Sequence, residues 1–215
     1  SVVADPELTF ALPRGLTAAT GMDALTHAIE AYTSLQATVI SDALTLKAIG
    51  LIAHNLRRAV ATGQNVEGRE NMLLGSLLAG IGLANAGVGA VHALAYPLGG
   101  LYRVPHGVAN GLLLPYVMEF NLENSLEKFA QVARAMGEEI ESLSLQEAAQ
   151  RAVEAVNKLS EEIPVPQRLR ELEAEITEED FPDMATSAMK VTRPLENNPR
   201  PMTEGEAIKI YEQAF

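Results

Sequence analysis

Gly21-Met22-Asp23-Ala24-Leu25-Thr26-His27-Ala28-Ile29-Glu30 sets a carboxylate and an imidazole four residues apart in a stretch with helical spacing. Side chains four apart lie one above the other on a helix. One oxygen of Asp23 and one ring nitrogen of His27 would therefore converge on a point. A divalent metal is the commonest user of such a pair, but two ligands do not make a site. Around this stretch Met22, Leu25, Ile29 and Tyr32 recur at three- and four-residue steps, and the pattern stays helical from Thr17 onward.

Upstream, residues 1–16 hold a short β-like run (Val2, Val3), then Asp5-Pro6 and Pro13, and read as an incoming strand or extended arm. Downstream, Leu44, Ala48, Leu51, Ile52 and Leu56 form one stripe over residues 41–61, with Asp42 suiting the first turn and Arg57-Arg58 the last. Residues 67–85 are small and apolar all round, which predicts a helix at the centre of a bundle, continuing over 86–95 after the Gly87 and Gly89 interruptions. Pro97-Leu98-Gly99-Gly100 and Pro105-His106-Gly107 read as turns, and residues 107–121 as a buried helix that Pro115 should kink or restart. From Leu122 the pattern is amphipathic and acidic (123–137, 144–162). Short helices are expected near 166–173, 178–192 and 203–214. The expectation is an all-α helical bundle, with Leu122 marking a change of layer.

Composition narrows the chemistry. The 215 residues are 47% apolar with a net charge of −12 and no cysteine. That argues against nucleic acid as a partner and removes thiolate ligands and thiol nucleophiles. No apolar run reaches the roughly 18 residues that span a bilayer. Ser1-Val2-Val3-Ala4-Asp5 has no basic segment of the signal-peptide kind, so a soluble cytoplasmic protein with no membrane partner is expected.

There are four histidines. His92 lies in a small, apolar helical stretch, and His106 in the turn that opens the next helix. If the intervening turns double the chain back, Asp23, His27, His92 and His106 form an N3O set. Such a set suits Fe(II) or Zn(II) better than Ca(II) or Mg(II), with room for a further oxygen, as in catalytic sites. Each residue also has a structural reading. A lone histidine on an apolar face is usually hydrogen-bonded core, Asp23 would serve as a first-turn dipole or cap residue, and His106 as a helix-start residue. His54, beside Asn55, Arg57 and Arg58, reads as a polar-face residue.

At these residues the chain closely resembles the iron-containing (group III) alcohol dehydrogenases. Gly21 to Tyr32 is similar to the family's first signature. Val91-His92-Ala93-Leu94-Ala95-Tyr96-Pro97-Leu98-Gly99-Gly100 with Val104-Pro105-His106-Gly107-Val108-Ala109-Asn110 is similar to the second. Asp5-Pro6-Glu7-Leu8 and Leu12-Pro13 resemble the lead-in. Asn198-Pro199-Arg200 and Ile208-Lys209-Ile210-Tyr211 resemble the C-terminus.

The resemblance implies a dehydroquinate synthase-like α domain in which Asp23, His27, His92 and His106 bind the metal. It also implies NAD(P) in the intact enzyme and a small alcohol or aldehyde substrate; a homo-oligomer is expected because the face that would meet the nucleotide-binding domain should be partly apolar. Many members carry a second histidine, near the nicotinamide, where this chain has Tyr96, which could donate a hydrogen bond there. The family's glycine-rich phosphate-binding turn belongs to an N-terminal α/β domain, and neither Gly87-x-Gly89 nor Gly99-Gly100 follows a strand. Residues 1–16 are therefore expected to be the arm leading in from a missing nucleotide-binding domain, and 17–215 the all-α metal-binding domain. Gly99, Gly100 and Gly107 are expected to let the backbone close around the ligands. The expected function is the metal-carrying half of an NAD(P)-dependent alcohol dehydrogenase or aldehyde reductase, inactive alone. A metal-binding or self-associating module without redox activity is the alternative, and a purely structural bundle the third reading.

Overall fold

Helix α1 (Arg14–Thr33) is buried on nearly every side, and the other elements are arranged around it. The structure is a computed structural model that describes residues 3–215. After α1 come α2 (Val39–Ala61), α3 (Val66–Ala86), α4 (Ala90–Tyr102), α5 (His106–Asn121), α6 (Leu126–Met136), α7 (Leu145–Glu161), α8 (Phe181–Met189), α9 (Thr192–Asn197) and α10 (Glu204–Ala214). No strand occurs among the described residues, so the architecture is the all-α bundle that the periodicity predicts. The β-like reading fails at Val3, which is exposed and irregular, and Val2 lies outside the described residues. A 3-10 turn over Pro6–Thr9 follows and packs on α3.

α1 packs against α2, α3 and α5. Ile49, Ile52 and Leu56 of α2 are fully buried, each burial stabilising by about 1.5–3 kcal/mol. Against the expectation from sequence, α2 is long and apolar enough to cross a membrane, as are α3 and α4 if that bent pair counts as one span among the described residues; core helices share this property, and α2 packs on α1 and α3. α6 and α7 pack on one another and cover α2 and α5, the change of layer expected after Leu122. α10 closes the other end against α8 and α5, and the fully buried Tyr211 donates its hydroxyl to Leu94 O at 2.8 Å.

Several local expectations give way to tertiary structure. α3 and α4 are not continuous: they meet at 104° across Gly87-Val88-Gly89. Gly87 makes the corner at φ +75°, where an added Cβ would lie 2.3 Å from the Asn197 amide. Pro97-Leu98-Gly99-Gly100 is not a turn but the body of α4. The chain turns later, at Arg103, which takes the left-handed conformation (φ 57°) while the Val104 N–H bonds back to Leu98 O. Burial of Pro97 and Leu98 against α5 and α8 outweighs the local breaker signal. Pro115 likewise passes through α5 without ending it. Near 166–173 only a 3-10 turn forms (Leu169–Glu171), and the helix expected over 178–192 breaks after Met189, with α9 beginning at Thr192.

Candidate metal centre

α1 begins at Arg14, so Asp23 and His27 lie in its middle, and the first-turn reading of Asp23 is excluded. His92 sits in the first turn of α4, and His106 is the first residue of α5, with Pro105 just ahead of it. The 104° corner and the Arg103 turn bring both onto the Asp23–His27 face. One ligand atom from each of Asp23, His27, His92 and His106 lies within 4.8 Å of the others. Asp23 Oδ1 is 3.9 Å from His27 Nε2 and 3.7 Å from His106 Nε2. Around an ion with bonds of about 2.0–2.1 Å, tetrahedral ligands stand roughly 3.3 Å apart, so small rotations would close the set. His54 stays apart, its Nδ1 2.7 Å from Gly50 O on the surface.

Burial runs across the cluster. The His92 side chain is 4% exposed, Asp23 20%, His27 25% and His106 49%. The open side faces a cleft of about 510 Å³ lined by His27, His92, Leu83, Val88, Tyr96 and Arg193. Tyr96 is half exposed, its ring 6.4 Å from that of His106. Burial lowers the His27 imidazole from its ordinary pKa, outweighing the neighbouring Asp23 carboxylate. It then stays neutral, the form that can ligate. Burial alone would lower His92 too, but the charge and hydrogen bond of Glu30, with Asp23 beyond, carry it above its usual value.

Glu30 had no role in the sequence reading. Its carboxylate is buried, accepts from Val91 N–H at 2.6 Å and lies 2.5 Å from His92 Nδ1. It caps α4, which has no side-chain cap of its own, and turns His92 Nε2 toward Asp23. The available signal was spacing: Glu30 follows His27 by three residues and Asp23 by seven on one face. Asn198 was also missed. It accepts from Ala90 N–H at 3.2 Å and exchanges hydrogen bonds with Asn121 at 2.8 and 3.0 Å, tying the start of α4 to α5. Of the glycines expected to matter, Gly107 does: an added Cβ would lie 2.6 Å from Ala19 O and 3.3 Å from Asp23 Cβ. Gly99 and Gly100 have room for a Cβ, so their expected role is withdrawn.

Asn110, one turn beyond His106, has Nδ2 2.7 Å from Asp23 Oδ1, 3.1 Å from His92 Nε2 and 3.0 Å from His106 Nε2. Its Oδ1 is buried without a partner. Three imidazoles, one carboxylate and an orphaned amide oxygen beside them make a donor set that fits a borderline divalent ion.

Fold and cluster together define an all-helical domain with a candidate metal site. The chain belongs to the Fe-containing alcohol dehydrogenase family: residues 17–215 match that family's C-terminal domain. It is 52% identical over 211 residues to 1,3-propanediol dehydrogenase of Klebsiella pneumoniae, covering 98% of this chain and 54% of that protein. To lactaldehyde reductase of Escherichia coli it is 42% identical over 211 residues, again 98% and 54%. The solved structure of a 1,3-propanediol oxidoreductase matches with a TM-score of 0.95 at 52% identity, over 98% of this chain and 55% of that one. An alcohol dehydrogenase from Oenococcus oeni matches with a TM-score of 0.94 at 43% identity, over 98% and 54%. The chain thus spans about half the length of the relatives it matches.

Proposed function

We propose that this chain is the metal-carrying part of an NAD(P)-dependent alcohol dehydrogenase or aldehyde reductase, and that Asp23, His27, His92 and His106 hold its Fe(II) or Zn(II). The observation that carries the reading is the convergence of those four ligand atoms within 4.8 Å at the mouth of a cleft. When bound, the metal supplies Lewis acidity at the substrate oxygen and the nicotinamide exchanges the hydride. Everything else falls to the chain. Glu30 orients His92, Asp23 supplies the one anionic ligand, and Leu83 and Val88 give the cleft an apolar wall. Tyr96 stands at the open side, where its hydroxyl can hydrogen-bond a substrate or nicotinamide group. The names of the relatives, a propanediol dehydrogenase and a lactaldehyde reductase, support a small alcohol or aldehyde as substrate.

The residues ahead of α1 then lead in from a nucleotide-binding domain, the bundle from α1 onward is the metal-binding domain, and the isolated chain turns over little or no alcohol. Exposed Val39, Ile40, Leu74, Ile81 and Leu101 favour a second reading, a metal-binding module that self-associates without redox activity. Metal content by plasma mass spectrometry, on protein purified without an affinity metal, tests the shared claim. About one equivalent in the parent and near none in a His27→Ala, His106→Ala double variant supports it; none in the parent after anaerobic Fe(II) or Zn(II) addition defeats it. Activity restored by a nucleotide-binding fragment added in trans separates the dehydrogenase from the module.

A further inference from the structure

We propose that Asn110 is a fifth ligand of the metal site, presenting its amide oxygen to the divalent ion between Asp23, His92 and His106. The proposal rests on reading the four-residue cluster as a metal centre and adds a residue to it. Asn110 follows His106 by one turn of α5, as His27 follows Asp23 by one turn of α1, so the two pairs face each other across the cluster. Asn110 is fully buried.

Its hydrogen bonds do not add up. The amide nitrogen has two hydrogens, yet three ligand atoms lie within 3.1 Å of it. Meanwhile Oδ1 is buried and meets no donor. Buried polar atoms are rarely left so, and an exception asks for an explanation. A half-turn of the amide exchanges oxygen and nitrogen with almost no change of shape. It would set the amide oxygen about 2.7 Å from Asp23 Oδ1. Two oxygens that close repel unless a cation lies between them. A cation bound between them therefore favours the amide oxygen turned inward. A neutral oxygen donor extends N3O to N3O2 without adding charge, a set that suits Fe(II) better than a four-coordinate zinc site. The rival role is a donor: Nδ2 stays inward and merely orients Asp23.

Asparagine-to-aspartate separates the two roles, because aspartate keeps an oxygen for a metal but cannot donate. The test is Co(II) titration of the parent chain, Asn110→Ala and Asn110→Asp. It follows the visible absorption and a chelator-competition Kd, with circular dichroism and melting to verify each fold. The expected results are one strong site in the parent and an affinity about 10–100-fold lower in Asn110→Ala. Absorption per Co(II) should rise in that variant as coordination drops, and Asn110→Asp should bind at least as tightly as the parent. A folded Asn110→Asp that loses affinity as Asn110→Ala does overturns the proposal in favour of the donor role. An Asn110→Ala variant with unchanged Kd and absorption also overturns it, and decides the matter alone if the aspartate variant does not fold. In either case Co(II) binding by the parent leaves the four-ligand reading intact. Failure of the parent to bind Co(II) removes both.

Discussion

Glu30 bears on His92 through a single hydrogen bond, and the consequence is a tautomer. A carboxylate can only accept from Nδ1–H, which leaves the Nε2 lone pair facing Asp23. Glutamine keeps the shape but can also donate to Nδ1, which puts the proton on Nε2. Glu30→Gln is therefore expected to lower metal affinity about 10–100-fold with the far-ultraviolet spectrum unchanged; equal chelator-competition Kd values would show that Glu30 only caps α4. At Gly107 the constraint is space. An alanine there meets backbone carbonyl that cannot move aside, so Gly107→Ala should cost about 1–3 kcal/mol in denaturant unfolding, as overpacked sites do. It should also displace His106 from Asp23, visible as weaker metal binding.

At the scale of elements, capping boxes at Ser144–Glu147, Thr177–Asp180 and Thr203–Glu206 hold the starts of α7, the turn before α8, and α10. Hydrogen bonds from the cap residues lower the pKa of all three acids. A carboxylate lowered on folding stabilises above its unfolded value of about 4 and stops doing so as pH falls through the folded one. Stability should therefore be level at mild acidity and decline below about pH 4. Combining Ser144→Ala, Thr177→Ala and Thr203→Ala should make that decline shallower, as read by denaturant unfolding at stepped pH. His27, lowered on folding, loses stability as pH drops below about 6.5. His92, raised, contributes below that value and loses its contribution as pH rises. The two oppose each other, so neither should dominate the acid limb. Between elements, Tyr211→Phe removes the bond from α10 to α4 and should cost about 1 kcal/mol; no change would mean that packing alone holds α10.

For the whole molecule, a metal bound at the cluster would join α1, α4 and α5, which otherwise meet through packing and a few polar bonds. Binding to the folded chain alone stabilises it by mass action, about 2.7 kcal/mol at a free metal concentration of a hundred times Kd. A chain of this size shifts by about 2–4 °C per kcal/mol. Chelation should therefore lower the melting temperature by several degrees in the parent and leave the His27→Ala, His106→Ala variant unmoved. An identical response in both would assign the histidines to packing.

The bundle was legible in the sequence because helical burial repeats every three to four residues, and that period is written residue by residue through α1, α2, α6 and α7. The Asp23–His27 pair was legible for the same reason: spacing on one helix is geometry. Where the helices turn was not. Pro97-Leu98-Gly99-Gly100 carries a local breaker signal that burial against α5 and α8 overrides, and the corner at Gly87 depends on Asn197 and Asn198, more than a hundred residues later. Glu30 shares the Asp23–His27 face, but nothing in the sequence says that it reaches His92, and Asn110 was invisible because an amide is not an expected ligand in a spacing motif. Sequence by itself determined the all-α class, the long helices, the four candidate ligands and the family. Only the tertiary structure decided which buried polar groups surround those ligands, because contacts between distant segments follow from packing and leave no period along the chain.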